Sequence, residues 1–166
     1  FAADNGVVAE GVSCAPQSVT LQQAVNMTHR KTGMSALAKT FGDDVAVYDV
    51  GVAAEVHCPD VIDRKVRYGT ADLAVEPAMT RAEALQALAV GMEAAAQAKA
   101  DGISALGIGE MGIGNTTTSA AVLSVLLDVE VEAVTGRGGG LTDEGFDRKK
   151  QVLRRALQLH HPDRND

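Results

Sequence analysis

Tryptophan is absent from this 166-residue sequence, and only two Tyr and three Phe are present. The core must therefore be built from small and β-branched apolar side chains. The abundance of Ala, Val and Gly suits the packed strands and helices of an α/β sheet. Cysteine is nearly as scarce. Cys14 and Cys58 lie far apart and form no Cys-x-x-Cys, which reads as two free thiols in a cytoplasmic protein rather than a disulfide. The four histidines, His29, His57, His160 and His161, show no metal-ligand spacing with the cysteines, so no metal is expected. No apolar run approaches the roughly 20 residues of a membrane span, and no signal peptide is visible. Positive charge is in deficit: 15 Lys and Arg stand against 22 Asp and Glu, a formal net charge of −7. Nucleic-acid binding needs a basic face, so it is disfavoured. Any phosphate site must be local, built from backbone dipoles and one or two cations.

With 46% hydrophobic and 22% charged residues the chain is globular rather than disordered. Its length suits one domain, and residues 1–166 are read as a single α/β core. There is no initiator Met. Phe1-Ala2-Ala3-Asp4 reads as the tail of a strand, and residues 160–166 stop in a polar loop, so the chain is read as the middle of a longer protein.

The most informative stretch is Gly107-Ile108-Gly109-Glu110-Met111-Gly112-Ile113-Gly114-Asn115-Thr116-Thr117. It follows an apolar run at 103–106, expected as a strand, and precedes an expected helix at 119–127 that carries almost no charge and should be buried. A strand, a glycine turn and a helix start together make a phosphate cradle. Without Cβ atoms the backbone comes close, and free helix N–H groups face the anion. Glu110 lies inside that turn, where a carboxylate would repel the ligand unless it had a task of its own.

Elsewhere the pattern predicts a strand at 1–3, a turn at Asp4-Asn5-Gly6, a helix over 19–31, and a short helix from Met34 ending at Gly42. A valine-rich strand over 45–50 follows, and residues 53–79 are irregular. Thr80 and Glu83 form a capping box for a helix to about Ala100, with Leu85, Leu88, Met92 and Ala95 on one stripe. A helix or strand spans 129–134, and Thr142 or Asp143 caps a last helix to about Leu159. Strands alternating with helices argue for a parallel sheet with helices on both faces, and ligands bind such sheets at the carboxyl ends of strands.

Gly107-x-Gly109-x-x-Gly112 formally matches a dinucleotide fingerprint, but its acidic partner is only loosely met by Asp128 or Glu130. No Lys-Ser/Thr follows the glycines, which excludes a Walker loop. A tight turn without a ligand is the plainest alternative. Lys149, read without a family, is a solvated helix face beside Arg148, Lys150, Arg154 and Arg155.

The full glycine string resembles the signature of the nicotinate-nucleotide–dimethylbenzimidazole phosphoribosyltransferase family. Other segments agree in order: Ala2-Ala3-Asp4-Asn5-Gly6-Val7 (with Asn5 where the family usually has His), residues 15–20 with Gln23, Asn26-Met27-Thr28, residues 48–52, Gly136-Arg137-Gly138, and Asp147-Arg148-Lys149-Lys150. The resemblance covers essentially the whole chain. It implies a Rossmann-like α/β core, a cytoplasmic homodimer with no metal or other cofactor, and no nucleic-acid or membrane partner. It implies transfer of a phosphoribosyl group from nicotinate mononucleotide to dimethylbenzimidazole or a related aromatic base, within cobalamin lower-ligand assembly. Gly112, Gly114, Asn115, Thr116, Gly138 and Lys149 are then expected at the phosphoribosyl group, and Ala15, Gln23 and Met111 at the aromatic base. The family's general-base glutamate lies in a later Gly-Glu-Gly run that these residues do not include, and Glu110 is the carboxylate candidate within them. The rival readings are a nucleotide-monophosphate-binding paralogue without turnover, a nicotinamide-dinucleotide oxidoreductase, and a structural half of a hetero-oligomer.

Overall fold

The computed structural model describes residues 1–165. The chain divides into two compact units. The first comprises Phe1–Ala3, Thr20–Gly69 and Met79–Met111; the second comprises Asp4–Val19, Thr70–Ala78 and the chain from Gly112 on.

The first unit is built on a three-stranded parallel sheet in the order β1 (Ala2–Ala3), β2 (Val47–Gly51), β3 (Val61–Asp63). Parallel strands need crossover connections, and between β1 and β2 the chain supplies helices α1 (Val19–Thr28) and α2 (Gly33–Phe41). In β2 every second residue is buried: Val47, Asp49 and Gly51. Its register sets Asp49 opposite Ala2 on one edge and opposite Asp63 on the other. Ala2, Ala24, Val47, Val52 and Val61 form the buried core, with Leu21, Met27 and Cys58 packed against it. The buried Asp49 carboxylate is satisfied by Val52 N–H at 2.8 Å and by Lys65 Nζ at 2.7 Å. These contacts fix the turn that leaves β2.

The strand expected at 103–106 does not form. Residues 103–110 are irregular and exposed. The pairing falls later, at Met111: Ala3 N–H donates to Met111 O at 3.0 Å, and Met111 N–H donates to Phe1 O at 2.9 Å. A ladder needs a partner edge, and β1 is only two residues long. The extended chain therefore meets it at one residue.

α1 ends three residues before its expected end. Arg30 takes the left-handed conformation (φ 59°), Arg30 N–H bonds Met27 O at 3.1 Å, and Lys31 N–H bonds Asn26 O at 2.9 Å. That is a Schellman closure without the glycine that would announce it. α2 closes on Gly42 (φ 78°) as expected. α3 (Arg81–Ala100) opens with both bonds of the Thr80–Glu83 capping box. Its apolar stripe faces solvent, with Leu85, Leu88 and Met92 all exposed. A helical stripe says which face needs cover, and no described residue of this unit covers it.

The second unit packs a 3-10 turn (Gly6–Glu10) with α4 (Asn115–Leu127), α5 (Val131–Val134) and α6 (Asp143–His160). Val7, Val12, Ala74 and Val152 form one core cluster, and Ala120, Val131 and Leu153 another. The segment over 129–134 is thus resolved as a helix. Thr142 caps α6, accepting from Gly145 N–H at 3.2 Å. α4 starts four residues before its expected start, and it is not buried throughout. Thr117, Ala120 and Ser124 point inward, whereas Val122, Leu126 and Leu127 are exposed.

Candidate functional site

The second unit gathers the residues predicted to hold phosphate. α4 begins at the glycine turn: Asn115 N–H donates to Gly112 O at 3.0 Å, and Thr117 N–H donates to Gly114 O at 2.9 Å. Gly114 has φ 89°, and a Cβ there would stand 2.8 Å from Val8 Cγ2. Both conformation and space demand glycine. Asn5 stitches the turn in place. Its amide donates to Ile113 O at 3.3 Å, and its Oδ1 accepts from Thr118 Oγ1 at 3.3 Å.

The second glycine run approaches the same helix start. Gly138 has φ 56°, and a Cβ there would lie 2.9 Å from Thr116 Oγ1 and 3.8 Å from Lys149 Nζ. Gly139 lies beside the segment that carries Ala15, since a Cβ on it would be 3.2 Å from Cys14 Sγ.

Lys149 joins these pieces. It projects from α6, is fully buried, and donates from Nζ to Thr116 Oγ1 at 2.7 Å and to Gly136 O at 2.9 Å. Among the described residues it has no carboxylate partner. Its neighbours differ: Arg148 is exposed, and Lys150 pairs with Asp147 at 2.6 Å. The solvated-face alternative for Lys149 is thereby overturned. Burial in the absence of an opposing charge pushes the Lys149 ammonium below its ordinary range.

An ammonium has three donors. Two are used here, and the third has no partner among the described residues. Thr116 Oγ1 accepts from Lys149, so its own proton is free to point outward from an exposed residue. Thr117 Oγ1, in the first turn of α4, is buried without a hydrogen-bond partner. A buried orphan hydroxyl costs about 1–3 kcal/mol. A buried cation without an opposing charge beside the Thr116 hydroxyl has the chemistry to attract an anion.

The remaining predicted residues lie in the first unit. Gln23 is half-buried on α1, Met111 pairs with β1, and Glu110 is exposed in the irregular approach to it. The dinucleotide fingerprint fails its structural test. It requires a strand before the first glycine and a helix straight after the last. Here 103–110 is irregular, and the helix begins at Asn115. A Cβ placed on Gly107 or Gly109 would meet nothing within 4 Å. Sequence reasoning missed one contributor, Gly136, which acts through its carbonyl and leaves no side-chain signal.

Residues 1–166 match the sequence pattern of a family described as phosphoribosyltransferase. A nicotinate-nucleotide–dimethylbenzimidazole phosphoribosyltransferase of Acetivibrio thermocellus is 46% identical over 164 residues, covering 99% of this chain and 47% of that protein. One of the same description from Roseiflexus castenholzii is 47% identical over 167 residues, covering all of this chain and 47% of the relative. The crystal structure of CobT from Thermus thermophilus superposes with a TM-score of 0.92 at 49% identity, covering 97% of this chain and 49% of that one. The chain spans about half the length of the curated relatives it matches.

Proposed function

The chain belongs to the phosphoribosyltransferase family, and from that premise we propose that it transfers a phosphoribosyl group from nicotinate mononucleotide to dimethylbenzimidazole or a related aromatic base. The products are α-ribazole phosphate and nicotinate, in cobalamin lower-ligand assembly. The observation that carries this reading is Lys149: a buried ammonium with one donor to spare, held by Thr116 Oγ1 and Gly136 O and without a carboxylate among the described residues.

A nucleotide 5′-phosphate supplies the missing negative charge. Lys149 and the Thr116 hydroxyl donate to it, and the absence of a Cβ at Gly138 keeps Thr116 within reach. Gly112, Gly114 and Asn115 shape the helix start beneath Thr116. Anchoring the phosphate fixes one end of the ribose and so orients the anomeric carbon for attack. A ring nitrogen of the acceptor forms the new bond as the bond to nicotinate breaks, positive charge builds on the ribose, and the proton on the acceptor's other ring nitrogen passes to the general-base glutamate that the family resemblance puts in a later Gly-Glu-Gly run. We assign the carboxylate of Glu110 to that charge, and Ala15, Gln23 and Met111 to the aromatic base, on the strength of the family resemblance. Assembly as a homodimer would cover exposed apolar residues such as Leu126 and Leu127. The free thiols of Cys14 and Cys58 suit the cytoplasm.

The test has two readouts on a protein of the relatives' full length that carries these residues. Calorimetric titration with nicotinate mononucleotide is expected to show binding that Lys149→Met weakens about 10- to 150-fold. Addition of dimethylbenzimidazole is expected to release nicotinate. Binding indifferent to Lys149 would remove the anchor, and binding without any release of nicotinate, when these residues stand in a protein of the relatives' full length, would remove the transfer.

A further inference from the structure

We propose that His29, Cys58 and Asp60 form a binding site for one zinc ion, with water in the fourth position, that clips the end of α1 to the turn before β3. One ligand atom from each of the three residues lies within 4.8 Å of the others. Tetrahedral zinc with bonds of about 2.0–2.3 Å needs its ligand atoms roughly 3.3–3.8 Å apart. The difference is at most about 1–1.5 Å, and His29 and Asp60 are exposed.

The local structure presets the three donors. His29 is the last residue before the left-handed Arg30, at the end of α1 where the helix carbonyls point outward and favour a cation. Cys58 and Asp60 flank Pro59 in a tight turn closed by Val61 N–H on Cys58 O at 3.1 Å. Proline fixes one torsion of that turn. Cys58 packs against the core of this unit, so its sulfur is held from beneath. Thr28 Oγ1 lies 3.8 Å from Cys58 Sγ and already donates its one proton to Val25 O at 2.8 Å, so the thiol is the donor of that contact. On binding, the S–H bond breaks, its proton passes to water, and a sulfur–zinc bond forms.

One thiolate, one imidazole and one carboxylate make a set that suits zinc and disfavours magnesium and calcium, which require oxygen ligands. None of the three residues belongs to the anion anchor. Spacing along the sequence conceals the group, because His29 lies far from the Cys-Pro-Asp turn and folding alone brings them together.

The chelator-treated chain is expected to bind one zinc ion in a calorimetric titration and to unfold at higher temperature with zinc but not with magnesium. Cobalt in place of zinc is expected to give a thiolate-to-metal absorption band. His29→Ala and Asp60→Asn change exposed residues and leave the fold intact; each is expected to weaken zinc binding at least tenfold. Cys58→Ser is expected to abolish the cobalt band, whereas Cys14→Ser and His57→Ala leave it in place. Absence of stoichiometric zinc binding, or loss of the band on Cys14→Ser or His57→Ala instead, would overturn the site.

Discussion

Replacing Lys149 by methionine separates stability from binding in a way that an ordinary core residue would not. The wild-type ammonium is fully buried and makes two bonds, to Thr116 Oγ1 and Gly136 O. Each charge-assisted bond contributes about 1.5–3 kcal/mol. Against them stands the desolvation of a buried ion, several kcal/mol. Thr116 and Gly136 are exposed, so water replaces the lost donor at both acceptors and no orphan remains. Methionine fills similar space. The opposing effects cancel to about 1 kcal/mol or less, which corresponds to a melting shift within about 4 °C. Ligand binding has no such cancellation. Loss of one charge-assisted bond to phosphate weakens affinity about 10- to 150-fold. At a nicotinate mononucleotide concentration about 100 times its Kd the wild type gains about 2.7 kcal/mol, a rise of roughly 5–11 °C. With affinity reduced about 100-fold the same concentration gives about 0.4 kcal/mol. Differential scanning calorimetry of both proteins, with and without ligand, reads all four values. A ligand-free variant destabilised by more than about 3 kcal/mol, or one that keeps the full ligand shift, would refute the reasoning.

Burial lowers the Lys149 pKa, so between that lowered value and about 10.4 the unfolded chain binds the extra proton. Stability is therefore expected to rise with pH through that window and level off above it. Urea unfolding should show the rise in wild type and its loss in Lys149→Met. Gly138→Ala meets a positive φ and Thr116 Oγ1 at 2.9 Å; it is expected to displace Thr116 and weaken binding of nicotinate mononucleotide at least tenfold by calorimetry, with a stability loss of about 1–3 kcal/mol. Breaking the buried pair in the first unit by Lys65→Met leaves Asp49 without its 2.7 Å partner. A loss of about 3–5 kcal/mol in denaturant unfolding is expected.

Capping chemistry was the most legible part of the sequence. Thr80 with Glu83, Thr142, and Gly42 each act through a side chain or a conformation tied to residue type, and each helix end falls where predicted. The end of α1 was hidden because an arginine takes the left-handed position. β3 was hidden because three residues between turns carry too short an alternation to read. The strand expected at 103–106 failed for a different reason. Apolarity invites burial, but only a neighbouring edge makes a strand, and that edge receives Met111. Around Lys149, the glycine run announced a helix but set its start four residues late, at 119 rather than Asn115, whereas the burial of Lys149 depends on the fold around α6 and could not be read from a run of cations.

The glycines themselves show which part of the run matters to the second unit. Gly107 and Gly109 would accept a Cβ into open space, so nothing in their surroundings demands glycine. Gly114 and Gly138 both need it, for distinct reasons: one clears Val8 beneath the helix start, and the other clears Thr116 above it. Those two constraints meet at the start of α4. Gly114 with Asn5 fixes where α4 begins, which sets the position of Thr116 two residues on. Gly138 then lets the second run approach that hydroxyl while Gly136 holds Lys149 from the other side. A turn that merely reversed the chain would need the first condition and not the second. Here the second condition sets the backbone at Gly138 and the buried Lys149 ammonium against one hydroxyl, that of Thr116.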